Sequence, residues 1–306
     1  MLTYKLKFDD QTNLETYIWG PEEESSVKGV VQIVHGMAEY MPRYDEFASY
    51  LAYNGYVVIG CDLYAHGLTC NSLEELGVVM RYDFMMAIIK SVKMVYDEMV
   101  SRFYDVPHYL FAHSMGSMVA QRYIELHPDD FEKVILSGTD YPGFKYSASK
   151  VLTKLFMKNN TVSYSKFIDG FGAGGFNKKF KNEHPKYAWL SRDLRTADKY
   201  DADPYCGKMF PVDYYHSLSK MLVESHKKDN ILRINPGILI QIMSGSKDPV
   251  GGNGKGPKKL CNCYNKYGIA SRLILYPDAR HECINELPGT KEKFFKDVLD
   301  FLDNTF

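Results

Sequence analysis

Short apolar runs recur along this chain of 306 residues, each long enough for one buried strand and most followed by a helix-like stretch. The runs are Val30 to Val34, Tyr56 to Cys61, Tyr109 to Ala112, Val134 to Leu136, Gly237 to Met243 and Arg272 to Tyr276. Between and after them, helical segments are expected at about Arg43–Asn54, stopped by Gly55, and at about Val79–Phe103, Met118–Leu126, Pro257–Tyr267 and Thr290–Leu302. At the start, Thr3 to Phe8 and Glu15 to Trp19 read as two strands joined by the polar turn Asp9–Asn13. A hairpin followed by this alternation predicts an α/β protein with an eight-stranded, mostly parallel sheet and helices on both faces. The alternation breaks once, between about Tyr141 and Asn230, where only helical pieces and loops rich in Tyr and Phe occur. The expected organisation is therefore a core of residues 1–140 and 231–306, with a helical cap, 141–230, inserted after the sixth strand.

Ligands of such sheets bind beyond the carboxyl ends of the strands. The loops carrying His35, Asp62, Ser114, Asp140, Asp248 and His281 all leave from that edge. Ser114 stands where the run Tyr109–His113 must turn sharply into a helix, between the small residues Ala112 and Gly116. A serine at such a turn has its hydroxyl pushed out of the backbone, which is the mechanical content of a nucleophile elbow, here with Ala112 in the first glycine position.

A serine hydroxyl needs a base, and the base needs an orienting acid. Nine histidines compete. His113 points elsewhere if the elbow is right, and His35 and His66 lie in early loops suited to structural hydrogen bonding. His127, His184, His216 and His226 have helical or insertion contexts. His281 follows the last strand on a loop that can reach over the sheet edge, so it is the expected base. Two acids remain: Asp140 after the sixth strand and Asp248 after the seventh. Asp248 ends an apolar strand and is made rigid by Pro249, whereas Asp140 reads as a turn residue accepting backbone N–H bonds. Asp248 is the preferred acid. For the oxyanion, the Met115 N–H opens the elbow helix, and the loop after the third strand offers the Met37 N–H beside Gly36.

Other readings carry less. Gly251 to Gly256 lacks the G-K-[ST] ending of a phosphate loop. The six cysteines show no paired spacing, and Cys261 with Cys263 lacks the histidines of a zinc site. No metal or organic cofactor is expected. The net charge of −1, with no long run of one sign, gives no reason for a nucleic-acid partner. The first residues alternate like a strand, without a signal peptide's apolar core, and no apolar run approaches a membrane span. A cytoplasmic chain without integral membrane association is expected.

These motifs together resemble the monoacylglycerol lipase and lysophospholipase group of α/β-hydrolases, often labelled by its serine aminopeptidase-like domain. The resemblance rests on His35–Glu39 with Arg43 and Tyr44, Asp62 with His66 and Gly67, Ala112–Gly116, Ser244–Val250 and Ala279–His281. In the insertion, Trp189–Asp193 and Asp203–Cys206 resemble the cap of bacterial lysophospholipase-like members. Departures are Ala112, Tyr40 where histidine is common, and Leu63–Ala65 before His66; none touches Ser114, Asp248 or His281. The order Ser, Asp, His is that of the fold. The resemblance implies a serine esterase acting on small-molecule esters or lipids with apolar acyl chains, a cap over its site, and transient contact with lipid surfaces. An aminopeptidase or amidase would need carboxylates such as Asp193, Asp198, Asp201 or Asp203 aimed at Ser114 to hold a free amine. A purely ligand-binding protein has no physical need for all three of Ser114, Asp248 and His281.

Overall fold

The computed structural model describes residues 1–20, 27–141, 143–157, 162–171 and 173–304. Its centre is one sheet of eight strands in the order β1-β2-β4-β3-β5-β6-β7-β8. The strands are β1 (Leu2–Lys7), β2 (Asn13–Trp19), β3 (Gly29–Val34), β4 (Tyr56–Cys61), β5 (His108–His113), β6 (Lys133–Ser137), β7 (Leu239–Gly245) and β8 (Ser271–Tyr276). β1 and β2 form the expected antiparallel hairpin, β2 is antiparallel to β4, and every later pairing is parallel.

Alternation along the strands explains why β3, β4 and β6 are buried throughout. Val30 and Val34 face one core with Leu110, Ala112, Val134 and Leu136; Val31 and Ile33 face the other with Phe111 and Ile135. The first core is closed by α2 (Phe84–Arg102) and α3 (Met115–Leu126), the second by α1 (Asp45–Tyr53) and α11 (Thr290–Asp303). Phe111 packs against Phe47 of α1 and Phe294 of α11 and is fully buried, worth about 1.5–3 kcal/mol. Gln32, a buried polar residue on β3, donates its amide to the Val92 carbonyl at 2.9 Å.

Several boundaries differ from the sequence reading, α3 starting at Met115 rather than Met118, and two of them show their physical cause. α2 begins at Phe84, five residues after the expected Val79, because the Asp83 carboxylate accepts from the Met86 N–H and starts the helix there. The helix after β3 opens with a 3-10 turn, Met41–Tyr44, in which Pro42 takes a first-turn position.

Between β6 and β7 the described residues hold no strand. They form α4 (Phe144–Phe156), α5 (Lys166–Phe171), α6 (Ala173–Phe176), α7 (Leu194–Ala202), α8 (Val212–Ser225) and α9 (Lys228–Ile231). α10 (Lys255–Lys266) follows β7. Among the described residues no helix is long and apolar enough to cross a membrane.

Candidate active site

The turn from β5 into α3 puts Ser114 at φ 53°, ψ −122°, a conformation a side chain rarely adopts and which costs on the order of 1–3 kcal/mol. Hydrogen bonds on both sides hold it there. The Ser114 N–H donates to Ser137 O at 2.9 Å, and its carbonyl accepts from the N–H groups of Ser117 and Met118. α3 then presses onto the end of β3. A Cβ on Gly116 would stand 2.4 Å from the carbonyl oxygens of both Val34 and His35. Only glycine allows that approach. Ala112, by contrast, is a fully buried strand residue whose methyl is accommodated.

His281 and Asp248 meet this serine. His281 Nε2 is 2.8 Å from Ser114 Oγ, and His281 Nδ1 is 3.0 Å from Asp248 Oδ2. The carboxylate is itself held, since Oδ1 accepts from the Val250 N–H at 2.9 Å and Oδ2 from the Ser244 hydroxyl at 3.4 Å. An ionised Asp248 can only accept, so it selects the tautomer with hydrogen on Nδ1 and leaves the Nε2 lone pair toward the Ser114 hydroxyl. Burial alone would lower the His281 pKa. The Asp248 carboxylate, helped by Glu282 and Glu39, outweighs burial and raises it above the ordinary value of 6.5. His113 packs behind, with its ring 4.7 Å from that of His281. Burial, with His281 beside it, pulls His113 down to about 4, so it stays neutral.

The loop after β3 lies against Ser114. A Cβ on Gly36 would come within 3.0 Å of the Ser114 Cβ. His35 shapes this loop: its Nδ1–H donates to Gly36 O at 2.8 Å, and its Nε2 accepts from the Leu63 N–H at 2.9 Å. Burial lowers its pKa to about 4, which keeps it in that neutral form. The Gly36 N–H donates to Glu39 Oε1 at 2.6 Å, and the Tyr44 hydroxyl shares the same oxygen at 2.8 Å. Arg43 joins Glu39 to Glu282 on the His281 loop, its Nη2 lying 2.7 Å from Glu282 Oε2. Burial pushes Glu282 up, but the Arg43 guanidinium wins and keeps it ionised. From the other side, Ala38 O accepts from the Tyr200 hydroxyl at 2.8 Å and the Gly207 N–H at 3.0 Å.

Met37 and Met115 stand beside Ser114 on the wall of a cavity of about 570 Å³. The Met115 N–H is the first of α3 and so has no acceptor within its helix. Met118, Leu152, Ile168, Trp189 and Leu218 make much of the wall apolar. Four of these five come from the segment between β6 and β7.

The remaining candidates lie elsewhere. His66 sits edge-on to His35, His127 packs on Tyr123, and His226 lies against Tyr141. His184 faces Asp198, and His216 is 3.1 Å from Thr153 Oγ1. Among the described residues no backbone N–H donates to the Asp140 carboxylate, contrary to expectation. It accepts from the Tyr146 hydroxyl at 2.9 Å and pairs with Lys145, tying α4 to the end of β6. Asp193, Asp201 and Asp203 are taken up by Arg195, Lys186 and Tyr40. The six cysteines are free, and among the described residues no cluster of His, Cys, Asp or Glu could hold a metal.

Sequence reasoning did not assign roles to Glu39, Arg43 and Glu282. The first two stood in a quoted motif, but their partner is more than two hundred positions away. Trp189, whose ring lies 4.9 Å from that of His281, was also noted without a role.

Comparison with known proteins gives a consistent set. The Hydrolase_4 family model, described as serine aminopeptidase, S33, matches residues 25–288. A probable lysophospholipase L2 of Haemophilus influenzae is 25% identical over 120 residues, 39% of this chain and 37% of the relative. Phospholipase YtpA of Bacillus subtilis is 26% identical over 140 residues, 46% of this chain and 51% of the relative. The alignments thus span about half or less of these relatives' length. Among solved structures, a thermostable carboxyl esterase from Bacillus coagulans in complex with glycerol superposes with a TM-score of 0.88 at 21% identity, covering 99% of this chain and 97% of the other. A soluble variant of monoglyceride lipase from Saccharomyces cerevisiae gives 0.76 at 19% identity, covering 98% and 94%. At these identities the structural likeness establishes the fold.

Proposed function

The chain belongs to the Hydrolase_4 family (serine aminopeptidase, S33) and has the α/β-hydrolase fold, and from that premise we propose that it hydrolyses carboxylic esters of apolar acyl chains through a serine acyl-enzyme. One observation carries the reading. An unbroken hydrogen-bonded line runs from Ser114 Oγ through both nitrogens of His281 to a buried Asp248, and it opens on a largely apolar cavity. With Nδ1–H committed to Asp248, His281 Nε2 takes the hydroxyl proton as Ser114 attacks the ester carbonyl. Negative charge then collects on the carbonyl oxygen, where the N–H groups of Met37 and Met115 receive it. His281 passes its proton to the leaving alcohol. Water, activated by the same imidazole, then cleaves the acyl-serine and restores the enzyme.

In this reading residues 141–230 form a cap over the core of 1–140 and 231–306, and the cap supplies most of the acyl wall. The cavity volume suits a lipid-sized acyl group. Monoacylglycerol or lysophospholipid is the proposed substrate class, in keeping with the names of the relatives and of one structural neighbour. α4 supports transient contact with a lipid surface. Its outer stripe carries Phe144, Val151 and Leu155 at 87%, 66% and 77% exposure, and its charged residues are Lys145, Lys150 and Lys154. An aminopeptidase reading finds less support, because Asp193, Asp198, Asp201 and Asp203 are each paired with another side chain.

The test is turnover of p-nitrophenyl esters from acetyl to palmitoyl, followed by monoacylglycerol and lysophosphatidylcholine, with an aminoacyl-anilide as the amide control. Rates that rise with chain length and vanish in S114A support the reading. Wild-type turnover by S114A, or a preference for the anilide, defeats it.

A further inference from the structure

The loop that carries His281 has little hold on the sheet. It leaves β8, an edge strand paired only with β7 and mostly half-buried. The loop's bonds to the β7 side, Lys247 N–H to Ala279 O at 2.9 Å and Asp278 N–H to Ser246 Oγ at 2.8 Å, come before Arg280. From Arg280 onward three consecutive amides turn away from the sheet. The Arg280 N–H donates to Glu286 Oε1 at 2.9 Å, the His281 N–H to Trp189 O at 3.3 Å and the Glu282 N–H to Leu190 O at 2.7 Å.

The Arg280 side chain completes this set. Its Nη1 donates to Ala188 O at 2.7 Å and more weakly to Ser191 O at 3.3 Å. The four successive carbonyls from Ala188 to Ser191 are therefore all bonded by residues 280–282. The guanidinium takes the outer pair, and the amides of His281 and Glu282 take the inner pair. Arg280 is only 6% exposed; its Nη2 pairs with Glu183 Oε2 at 2.5 Å, and its Cζ lies 4.3 Å from the centroid of the Phe180 ring. Glu286, the acceptor for the Arg280 amide, is itself bound by Arg192 at 2.9 Å. The amides of residues 280–282 and the Arg280 guanidinium thus lead, directly or through Glu286, to residues 180–192 of the insertion, and Trp189 in the same strap covers the imidazole.

We propose that Arg280 is a positioning residue that locks the 188–191 strap of the insertion onto the His281 loop, so that the base is aligned with Ser114 only when the strap is seated. The inference rests on the reading of His281 as the base. A buried guanidinium with five donors in a fixed fork suits this task, because it spans two carbonyls and a carboxylate at once. Without it the outer carbonyls lose their donor, the strap loosens, and His281 gains freedom at both of its hydrogen bonds.

The variants R280M and R280K, with S114A as control, test this. In wild type, the His281 Nδ1–H held by Asp248 should give a resolved low-field proton signal in NMR without any substrate. R280M is expected to broaden or abolish that signal and to lower kcat on p-nitrophenyl butyrate roughly 10- to 100-fold, with KM changed by less than about threefold. R280K, which keeps a cation able to reach one carbonyl, is expected to restore part of the signal and of kcat. If R280M does not fold, E183A carries the test, with an expected loss of about three- to tenfold in kcat, because it removes one of the fork's holds while leaving Arg280 in place. An unchanged signal and unchanged kcat in R280M, or in E183A where it stands in, overturns the proposal. So does a loss confined to KM. If wild type cleaves no ester, the esterase reading fails; the NMR signal still reports on the lock.

Discussion

The two small residues that flank Ser114 look equivalent in the sequence, but the structure makes them unequal. In G116A the new methyl carbon would sit 2.4 Å from Val34 O and 2.4 Å from His35 O. Both contacts are about 1 Å inside ordinary van der Waals distance. Neither oxygen belongs to a flexible side chain; both lie at the end of β3, where the pairing of Val34 with Ala112 fixes the strand. Alanine at a helical position would otherwise gain up to about 1 kcal/mol over glycine. Forced overpacking against backbone costs about 3 kcal/mol, the upper part of the usual range, so the clash decides the sign. A net loss of about 2 kcal/mol lowers Tm by roughly 3 °C for a chain of this size. Relief must come from moving α3 away from the His35 loop, which separates the Met115 and Met37 N–H groups. A displacement near 1 Å there lowers kcat about 100-fold. A112G provides the contrast: it loses one buried methyl and stiffens nothing, for about 1–2 kcal/mol, with kcat nearly unchanged. Differential scanning calorimetry and ester turnover on both variants check the pair. A G116A protein that melts with wild type and retains its kcat would refute the claim that α3 rests on β3.

Two further predictions concern protons. Because His281 is raised above 6.5 chiefly by Asp248, the acid limb of kcat/KM should fall above pH 6.5. D248N should move that limb downward and lower kcat by about 10³- to 10⁴-fold; a limb unmoved by D248N would mean that another group titrates. Stability should run the opposite way for the neutral buried histidines. His35 and His113 are held near 4 and His66 near 3, all by burial. The unfolded chain takes up these protons first, so each costs stability as pH falls below about 6.5, reaching about 3 kcal/mol apiece by pH 4. His281, raised instead, adds stability below pH 6.5 that is lost as pH rises through its folded pKa. H66F removes an acceptor nitrogen with no partner and keeps the contact with Phe210. Urea midpoints of H66F should therefore decline less steeply between pH 7 and pH 4.5 than those of wild type, and parallel curves would count against a neutral His66.

What could be read from the sequence was set by local physics. Val30–Val34, apolar but for Gln32, and Val134–Leu136 are apolar runs because their strands are covered on both faces, which gives their place directly. Ser114 was legible because a strand-to-helix turn demands small neighbours within two residues. His281 was legible from its position alone, after the last strand at the edge where such sheets bind ligands. The start of α2 was misplaced because Val79 and Met80 continue the apolar spacing while Asp83, a capping residue, stops it; periodicity outvoted the cap. Asp140 was recognised as a turn residue, but its carboxylate serves Tyr146 and Lys145, which follow it in the chain, and no turn rule anticipates that choice.

The pairing of 280–282 with 188–191 left no mark in the sequence for a different reason. All four of its acceptors and two of its three donors are backbone groups, so no residue type announces them. Only Arg280 is distinctive, and beside His281 it reads as an ordinary surface cation until its burial is known. The consequence bears on how the insertion relates to the chemistry. A cap that only walled the acyl cavity could change sequence freely and alter substrate choice alone. The proposed cap also supplies acceptors for the His281 loop through Trp189 and Leu190, and it holds the loop of Met37 through Tyr200 and Gly207. Changes on its inner wall, at Leu152, Ile168 or Leu218, should therefore act on substrate preference. Changes that shift the 188–191 carbonyls should act on the rate for every substrate alike.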